Sequence, residues 1–168
     1  SIAPSPPSLE YIRKKMEGGK LSKDEIYTII KDIVNGDLGP LETLAFALSE
    51  YFRSMELDEI ENLIRSMVET GERLSFGERA YDKHSIGGVP GNKVSLLITP
   101  IVAAAGVLIP KTASRAITSP SGTADTMEVL APVDLTAQEI LEIAKKVRGC
   151  IVWGGRLNLA PADDIIIR

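Results

Sequence analysis

Cysteine and histidine are almost absent from this 168-residue sequence, which has one of each, Cys150 and His84. A single cysteine excludes an intramolecular disulfide and indicates a reducing compartment, so we expect a cytoplasmic protein. A zinc-type site needs several cysteine or histidine ligands at short spacing. We therefore predict no metal site and no cofactor. His84 is left as a candidate for positioning a bound ligand, with packing in the core as the alternative.

Excess positive charge and long apolar runs are missing as well. The net charge is −4, which does not favour an extended surface for nucleic acid or for an anionic membrane. The longest apolar run, residues 94–109, is interrupted by Ser95, Thr99 and Pro100. It is too short to span a bilayer, and we predict it as a buried helix. We expect neither nucleic acid nor a membrane among the partners.

Two loops rich in glycine and hydroxyl residues flank this apolar run, residues 82–93 before it and 111–123 after it. Phosphate binding requires several N–H and O–H donors and a fixed positive charge. Glycine allows the backbone to approach the anion, and Lys83 and Arg115 could supply the charge. The composition therefore favours phosphate binding, with ordinary solvated turns as the alternative. The nucleotide-binding pattern G-x-x-x-x-G-K-[ST] is absent.

The first part of the chain has the periodicity of amphipathic helices. After a proline-rich arm, four apolar stripes predict a helical lobe over residues 1–71. Ser8 is the predicted first cap, Ser22 and Glu25 have the spacing of a capping box, and Pro40 suits a first helical turn. The predicted buried positions of helices two to four are Ile26, Ile29, Ile30, Ile33 and Val34; Leu41, Leu44, Ala45, Leu48 and Phe52; and Ile60, Leu63, Ile64, Met67 and Val68.

Helical periodicity stops at residues 72–80, which we predict as a hinge. Residues 81–157 then alternate between strand-like and helical patterns: a strand-like approach to the first loop, a strand near 108–112, helices near 122–130 and after Thr136, and a strand over 149–154. Such alternation predicts a parallel α/β lobe. The fold class is therefore α/β, with a small all-helical lobe hinged to a parallel-sheet lobe that is incomplete in this chain.

Three motifs carry a resemblance to a known family. They are DKHSIGGV at residues 82–89, SRAITSPSGTAD at 114–125 continuing into MEVLAP, and WGGRLNLAPADD at 153–164. The first, followed by an apolar helix, resembles the pyrimidine and thymidine nucleoside phosphorylase family. The second departs from the thymidine enzymes, which carry a glycine- and histidine-containing loop there, and with the third it is similar to the AMP phosphorylase branch. The resemblance covers nearly the whole chain.

The resemblance implies two overlapping sets of site residues. The positions that match phosphate contacts are Lys83, Ser85, Ser95 and Thr123. The positions that match nucleotide contacts are Gly88, Ser114, Arg115, Ala116, Ile117, Thr118, Ser119 and Thr123. Arg115 has the planar fork that suits a phosphate, and a salt bridge between loops is its alternative role. Ala113 stands where the thymidine enzymes have a phosphate-binding serine, so Ser114 is the candidate replacement.

The resemblance implies phosphorolysis of an N-glycosidic bond, with inorganic phosphate as co-substrate. For the AMP branch, AMP and phosphate would give adenine and ribose 1,5-bisphosphate in nucleotide degradation or salvage. The proton donor to the base would be an aspartate downstream of this chain, so no catalytic residue is assigned here. The alternatives are a thymidine or pyrimidine phosphorylase, a related phosphoribosyltransferase such as anthranilate phosphoribosyltransferase, and a non-catalytic helical module.

The last residues, 158–168, are predicted as a second hinge followed by the start of a new element. The apolar run Ile165–Arg168 has no closing cap, and we expect it to be a strand. Asp163 and Asp164 are predicted at the hinge or as caps rather than as catalytic carboxylates. We expect the chain to be the central part of a larger enzyme and to be inactive by itself. The full-length enzyme is expected to form a homo-oligomer.

Overall fold

The computed structural model describes residues 5–84, 93–116 and 121–167. They fall into two compact units. The first unit contains the residues up to Glu72 together with those from Leu159 onward, and the second contains Arg73–Asn158. The helical lobe and the parallel sheet that the sequence predicts are both present, so the predicted fold class is confirmed.

The first unit is made of five helices among the described residues. They are α1 (Ser8–Met16), α2 (Lys23–Asn35), α3 (Pro40–Arg53), α4 (Leu57–Glu69) and α8 (Pro161–Ile167). Helix α1 packs against α2 and α3, and α2 packs against α4 and α8. Their shared core is apolar and centres on α2, which contributes Ile26, Ile29, Ile30 and Ile33 to it.

Helix α2 matches its sequence prediction throughout. Ile26, Ile29 and Ile30 are completely buried. The helix begins after Ser22, whose side chain accepts a hydrogen bond from the N–H of Glu25 in a full capping box. It ends at Gly36, which has a φ of 79°, a left-handed conformation that glycine adopts without steric cost.

Helix α3 is oriented differently from its prediction. The stripe predicted to be buried is largely exposed: Leu41 is 77% exposed and Phe52 72%, and Leu44 and Leu48 are also exposed. Phe46 enters the core instead, with Thr43 and Ser49 buried beside it. Because α3 carries apolar residues on two faces, periodicity could not tell which face would be buried.

Helix α4 matches its prediction only in part. Leu63 and Met67 pack against the core as predicted. Ile60, Ile64 and Val68 are exposed instead, at 41%, 57% and 43%. The predicted stripe is therefore too wide, since one side of it faces away from α2.

The start of α1 also differs from its prediction. Ser8 lies inside the helix after Pro7 and makes no cap. Its hydroxyl is buried and donates to the carboxylate of Asp32 on α2. A hydroxyl that leaves water needs a partner, and Asp32 provides it across the helix pair, so Ser8 ties α1 to α2 instead of capping α1.

A buried ion pair joins α1 to α4. Lys15 and Glu59 have side chains only 3% and 1% exposed, and Lys15 Nζ lies 3.0 Å from Glu59 Oε1. Lys15 also donates to the carbonyl of Ser54, and Glu59 accepts from the N–H groups of Leu21 and Glu56. The pair is thus surrounded by hydrogen bonds, as buried charges need to be.

Glu50 on α3 lies beside this pair without a comparable set of partners. Both of its carboxylate oxygens are buried and make no hydrogen bond with the described residues. Burial raises the pKa of Glu50 to about 7; the positive charge of Lys15 acts against the increase and the negative charge of Glu59 adds to it. Since the folded state holds this proton more tightly than the unfolded chain, stability decreases as the pH rises from about 4.5 to about 7.

Replacing Glu50 by glutamine is therefore expected to raise the melting temperature at pH 8 by about 2–4 °C, with little effect near pH 4. Glutamine keeps the shape of the side chain and has no charge to bury. Thermal unfolding followed by circular dichroism at both pH values measures the effect. Glu69→Gln, at the exposed end of α4, is the control. An equal rise in the melting temperature at both pH values would show that the effect does not come from the ionisation of Glu50.

The end of the described chain is helical, so the strand predicted from Ile165 onward is wrong for residues 165–167, and Arg168 lies outside the described residues. Pro161 occupies the first turn of α8, and Asp163 and Asp164 lie in that turn, where acidic residues are favoured. Ala162 is fully buried and Ile166 packs against the core of the first unit. The apolar run belongs to an amphipathic helix that covers α2. Burial, followed by the neighbouring charge of Asp164, raises the pKa of Asp163.

The second unit is built around two parallel strands. Its elements are α5 (Val94–Ala104), β1 (Ile109–Ala113), α6 (Thr123–Glu128), α7 (Ala137–Val147), β2 (Gly149–Trp153) and a short 3₁₀ turn (Gly155–Leu157). The strands pair in parallel from Ile109 opposite Gly149 to Ala113 opposite Trp153. Helix α7 begins with the predicted capping box of Thr136 and Glu139.

Two local predictions in this unit are wrong. The predicted strand-like approach to the first loop is not a strand in the described residues before 85; its Tyr81 N–H donates to the carbonyl of Leu108 without forming a ladder. Helix α5 is not buried on all sides, because Leu97 and Ile101 are about two-thirds exposed. Its polar residues Ser95 and Thr99 are the buried ones. Among the described residues no helix is long and apolar enough to cross a bilayer.

Part of the predicted hinge belongs to the second unit. Arg148, at the end of α7, makes two hydrogen bonds to the carboxylate of Glu78, with N–O distances of 2.6 and 2.9 Å. Arg148 has a φ of 68°, a left-handed conformation that turns the chain directly into β2. The ion pair therefore joins the residues that enter this unit to the connection between α7 and β2.

Candidate phosphate and nucleotide site

Lys83 and Ser95, two residues predicted to bind phosphate, are in direct contact. Lys83 Nζ donates to Ser95 Oγ over 3.1 Å. Ser95 lies in the first turn of α5 and is buried. The ammonium of Lys83 therefore lies at the N-terminus of α5, where the first backbone N–H groups have no partner within the helix. The two residues place an ammonium and a hydroxyl together although they are twelve positions apart in the chain.

Acidic and basic side chains surround the entry to this loop. Asp82 pairs with Lys111 of β1 at 3.2 Å and with His84 Nε2 at 2.8 Å. Lys111 is nearly buried, whereas the His84 side chain is 86% exposed. His84 therefore does not pack in the core, and its ring is accessible to a ligand from solvent. The Asp82–Lys111 pair ties residues 82–84 to the sheet.

The second loop leaves β1 and returns at α6 with its two ends side by side. The N–H of Ala124 donates to the carbonyl of Ser114 over 3.3 Å. A side chain on Gly122 would collide with the backbone of residues 114–116, at distances of 2.5–2.8 Å. Only glycine fits there. Thr123, the predicted phosphate and nucleotide contact, is the first residue of α6 and is buried.

Asp125 holds these two ends together. Its Oδ2 accepts from the N–H of Ala116 over 2.7 Å and from the N–H of Gly122 over 2.9 Å. Its Oδ1 lies 3.0 Å from Arg115 Nη1. The hydrogen bond from Gly122, followed by those from Arg115 and Ala116, holds the pKa of Asp125 below its usual range despite partial burial. The carboxylate is thus ionised and fixed at neutral pH.

Arg115 makes a second, two-pronged contact with Glu128. Nη1 lies 2.7 Å from Oε2 and Nη2 lies 3.0 Å from Oε1. The guanidinium carbon also lies 4.9 Å above the centroid of the Trp153 ring. Hydrogen bonds to Glu128 and then to Asp125 raise the pKa of Arg115, and the bond from Arg115 lowers the pKa of Glu128. These salt bridges join Arg115 to helix α6, whereas the alternative predicted for it was a salt bridge between loops. The predicted contact of Arg115 with a phosphate stays a prediction.

Three residues of this cluster were not among the predicted site residues: Asp125, Glu128 and Trp153. Trp153 is only partly buried and lies at the end of β2, next to the end of β1. In parallel sheets, ligands bind beyond the carboxyl ends of the strands, so position alone could have indicated it. Asp125 stands three residues after Gly122, at capping-box spacing, and Glu128 follows one turn later on the same face.

Several predicted contacts lie outside the described residues. They are Ser85, Gly88, Ile117, Thr118 and Ser119. The described part of the predicted site therefore consists of Lys83, Ser95, Ser114, Arg115, Ala116 and Thr123. Within the described ranges, no group of three or more histidine, cysteine or carboxylate side chains is placed to hold a metal ion.

The chain combines a helical bundle with a parallel α/β unit, and cationic side chains of the second unit lie at strand and helix ends, where such folds bind ligands. The sequence matches the helical bundle domain of the glycosyl transferase family over residues 9–71 and the a/b domain of that family over 77–166. The chain therefore belongs to this glycosyl transferase family.

Relatives of this chain carry the name that the motifs suggested. An AMP phosphorylase 1 from Archaeoglobus fulgidus is 63% identical over 99% of the chain. The AMP phosphorylases of Methanospirillum hungatei and Methanocaldococcus jannaschii are 58% and 57% identical over 99% and 98% of it. The chain spans only about a third of the length of these relatives, 32–33%. The resemblance to the AMP phosphorylase branch is thus confirmed.

A solved structure shares the fold at low sequence identity. An anthranilate phosphoribosyltransferase from Thermus thermophilus superposes with a TM-score of 0.71 and 20% identity. The match covers 93% of this chain and 50% of that protein. At this identity the match shows a common fold and carries no inference about the reaction.

Proposed function

We propose that this chain is the phosphate- and nucleotide-binding part of an enzyme that cleaves nucleoside 5′-monophosphates by phosphorolysis. AMP and phosphate would be converted to adenine and ribose 1,5-bisphosphate. The observation that carries the proposal is the contact between Lys83 and Ser95, made by residues that also match the phosphate-binding positions of the family. The names of the relatives support AMP as the substrate.

The proposed reaction exchanges one bond at the anomeric carbon. The C1′–N bond to the base breaks, a C1′–O bond to phosphate forms on the opposite face, and the base takes up a proton. Lys83, Ser95 and Thr123 would orient the phosphate, whose negative charge stabilises the oxocarbenium character of the sugar. Positioning and fixed charge would contribute most of the rate. We propose that the proton donor is an aspartate outside this chain and that no cofactor takes part.

The proposal is tested by free-base release from AMP, CMP and thymidine, measured by chromatography with and without phosphate. The intact protein that contains this chain is the enzyme, and the 168-residue chain is the control. Phosphate-dependent adenine release from AMP, little release from thymidine and none by the control are expected. Thymidine cleavage without AMP cleavage would instead favour the pyrimidine nucleoside phosphorylase alternative. A chelator should leave the rate unchanged.

The location and the assembly of the intact protein are also proposals. The single cysteine supports a cytoplasmic location. The exposed apolar side chains of α3 support a homo-oligomer, because Leu41, Leu44, Leu48 and Tyr51 follow the 3-4-3 spacing of a helix–helix seam. A second copy is the proposed occupant, since symmetric dimers are the commonest assemblies.

Placing lysine at both Leu44 and Leu48 is expected to convert the intact protein to monomers. Two charges on each side of a dimer seam would be forced together in an apolar environment. Light scattering after size-exclusion chromatography measures the mass. Glu142→Lys, on the exposed face of α7, is the control and should keep the native assembly. An unchanged oligomer would show that the α3 face is not the interface.

A further inference from the structure

The guanidinium of Arg115 already forms salt bridges with the carboxylates of Asp125 and Glu128 in this structure. These two partners are not equivalent. Asp125 also accepts two backbone N–H groups, from Ala116 and Gly122. Moving Asp125 would therefore leave both of these amides without their partner. Glu128 makes its described hydrogen bonds with Arg115 alone. It is the last residue of α6 and its side chain is 46% exposed, so it can turn into solvent without breaking the loop.

The contacts that remain after such a movement would keep Arg115 in place. Trp153 lies under the guanidinium at 4.9 Å, and Asp125 holds Nη1 at 3.0 Å. The N–H groups of Arg115 that now donate to Glu128 would then be available to a ligand. In this structure they donate to the two carboxylate oxygens of Glu128, in the bidentate geometry by which arginine also binds phosphate.

We propose that Glu128 is a competing counter-ion that holds Arg115 when no nucleotide is bound and is displaced by the 5′-phosphate. The inference rests on the proposed function, since it takes Arg115 to be the contact for that phosphate. Arg115, Asp125 and Glu128 together carry one net negative charge, which opposes a phosphate dianion. Release of Glu128 removes this opposition and opens the fork at the same time. Glu128 thus lowers the affinity of the site for the 5′-phosphate.

The experiment compares Glu128→Gln with wild type in the intact protein. Glutamine keeps the size of the side chain and loses the charge that competes with phosphate. Because exposed ion pairs contribute up to about 1 kcal/mol, we expect the KM for AMP to fall about three- to fivefold. The KM for inorganic phosphate and kcat should be unchanged. The KM for adenosine, which lacks the 5′-phosphate, should also be unchanged.

Two controls separate this inference from general effects. Glu142→Gln on α7 removes the same charge from an exposed site and should leave every constant unchanged. Glu128→Ala gives a second variant in case glutamine keeps a hydrogen bond to Arg115, and it should lower the KM for AMP in the same way. Thermal unfolding of each variant checks that α6 is retained.

An unchanged or higher KM for AMP in both Glu128 variants overturns the inference. A parallel decrease for AMP, adenosine and phosphate overturns it as well, because it shows a general field effect. If wild type releases no adenine, the proposed function fails, and calorimetric titration with AMP still decides the inference. Tighter AMP binding by Glu128→Gln than by wild type supports it, and equal binding refutes it.

Discussion

Replacing Glu59 by glutamine is expected to lower the free energy of unfolding by about 3–5 kcal/mol, the largest effect on stability that we anticipate in the chain. The change leaves Lys15 with a charge in a site where its side chain is 3% exposed. Glutamine has a single carbonyl oxygen, so it keeps only one of the two hydrogen bonds that Glu59 accepts from the N–H groups of Leu21 and Glu56. The loss therefore combines the ammonium without its counter-ion and one backbone N–H without its acceptor. Urea unfolding followed by circular dichroism gives the value.

An exposed ion pair provides the matched control. Glu61 pairs with Arg65 one turn away on α4, and both side chains are more than 60% exposed. Glu61→Gln should change the free energy of unfolding by about 0.5 kcal/mol or less, because water screens exposed pairs. A second comparison is Lys15→Met combined with Glu59→Gln, which removes both charges, keeps one of the two backbone hydrogen bonds at position 59 and should recover part of the lost stability. Equal effects of Glu59→Gln and Glu61→Gln would contradict the burial argument.

Replacing Lys83 by methionine is expected to lower kcat/KM for phosphate by about 100- to 1000-fold in the intact protein, the loss typical of one charged contact in an active site. Methionine keeps much of the apolar stem and removes the ammonium that contacts Ser95. Steady-state kinetics with phosphate as the varied substrate gives the value. Ser95→Ala should act in the same direction with a smaller loss, because it removes a neutral hydroxyl.

A lysine outside the site separates a local effect from a change in overall charge. Lys145 lies in the last turn of α7 and is exposed. Lys145→Met removes the same charge and should leave kcat/KM unchanged. If Lys83→Met behaved like Lys145→Met, Lys83 would not be a phosphate contact.

Some elements were predictable because their signals are local. Helix α2 has a single apolar stripe, a capping box at one end and a left-handed glycine at the other, so each local preference indicates the same structure. The strands β1 and β2 were found from short apolar runs between helical patterns. The roles of the site residues stay predictions, derived from motifs rather than from geometry.

Other features could not be predicted because they depend on what lies across the fold. The buried face of α3 is selected by the position of Phe46 in the core, and the sequence has apolar residues on both sides. The run from Ile165 onward could form a strand or a helix. It is helical because Ala162 and Ile166 meet the core of the first unit. The ion pair of Lys15 and Glu59 joins residues 44 positions apart.

The sequence by itself determined the number of helices in the first unit up to α4, the parallel α/β character of the second, and the family, because periodicity, caps and long motifs are encoded locally. Tertiary structure alone decided which faces are buried and which charges meet. Arg115 lies over Trp153 and between Asp125 and Glu128 only because β1, α6 and β2 converge at one edge of the sheet. The strength of each electrostatic contact depends on the distance and burial that this convergence sets.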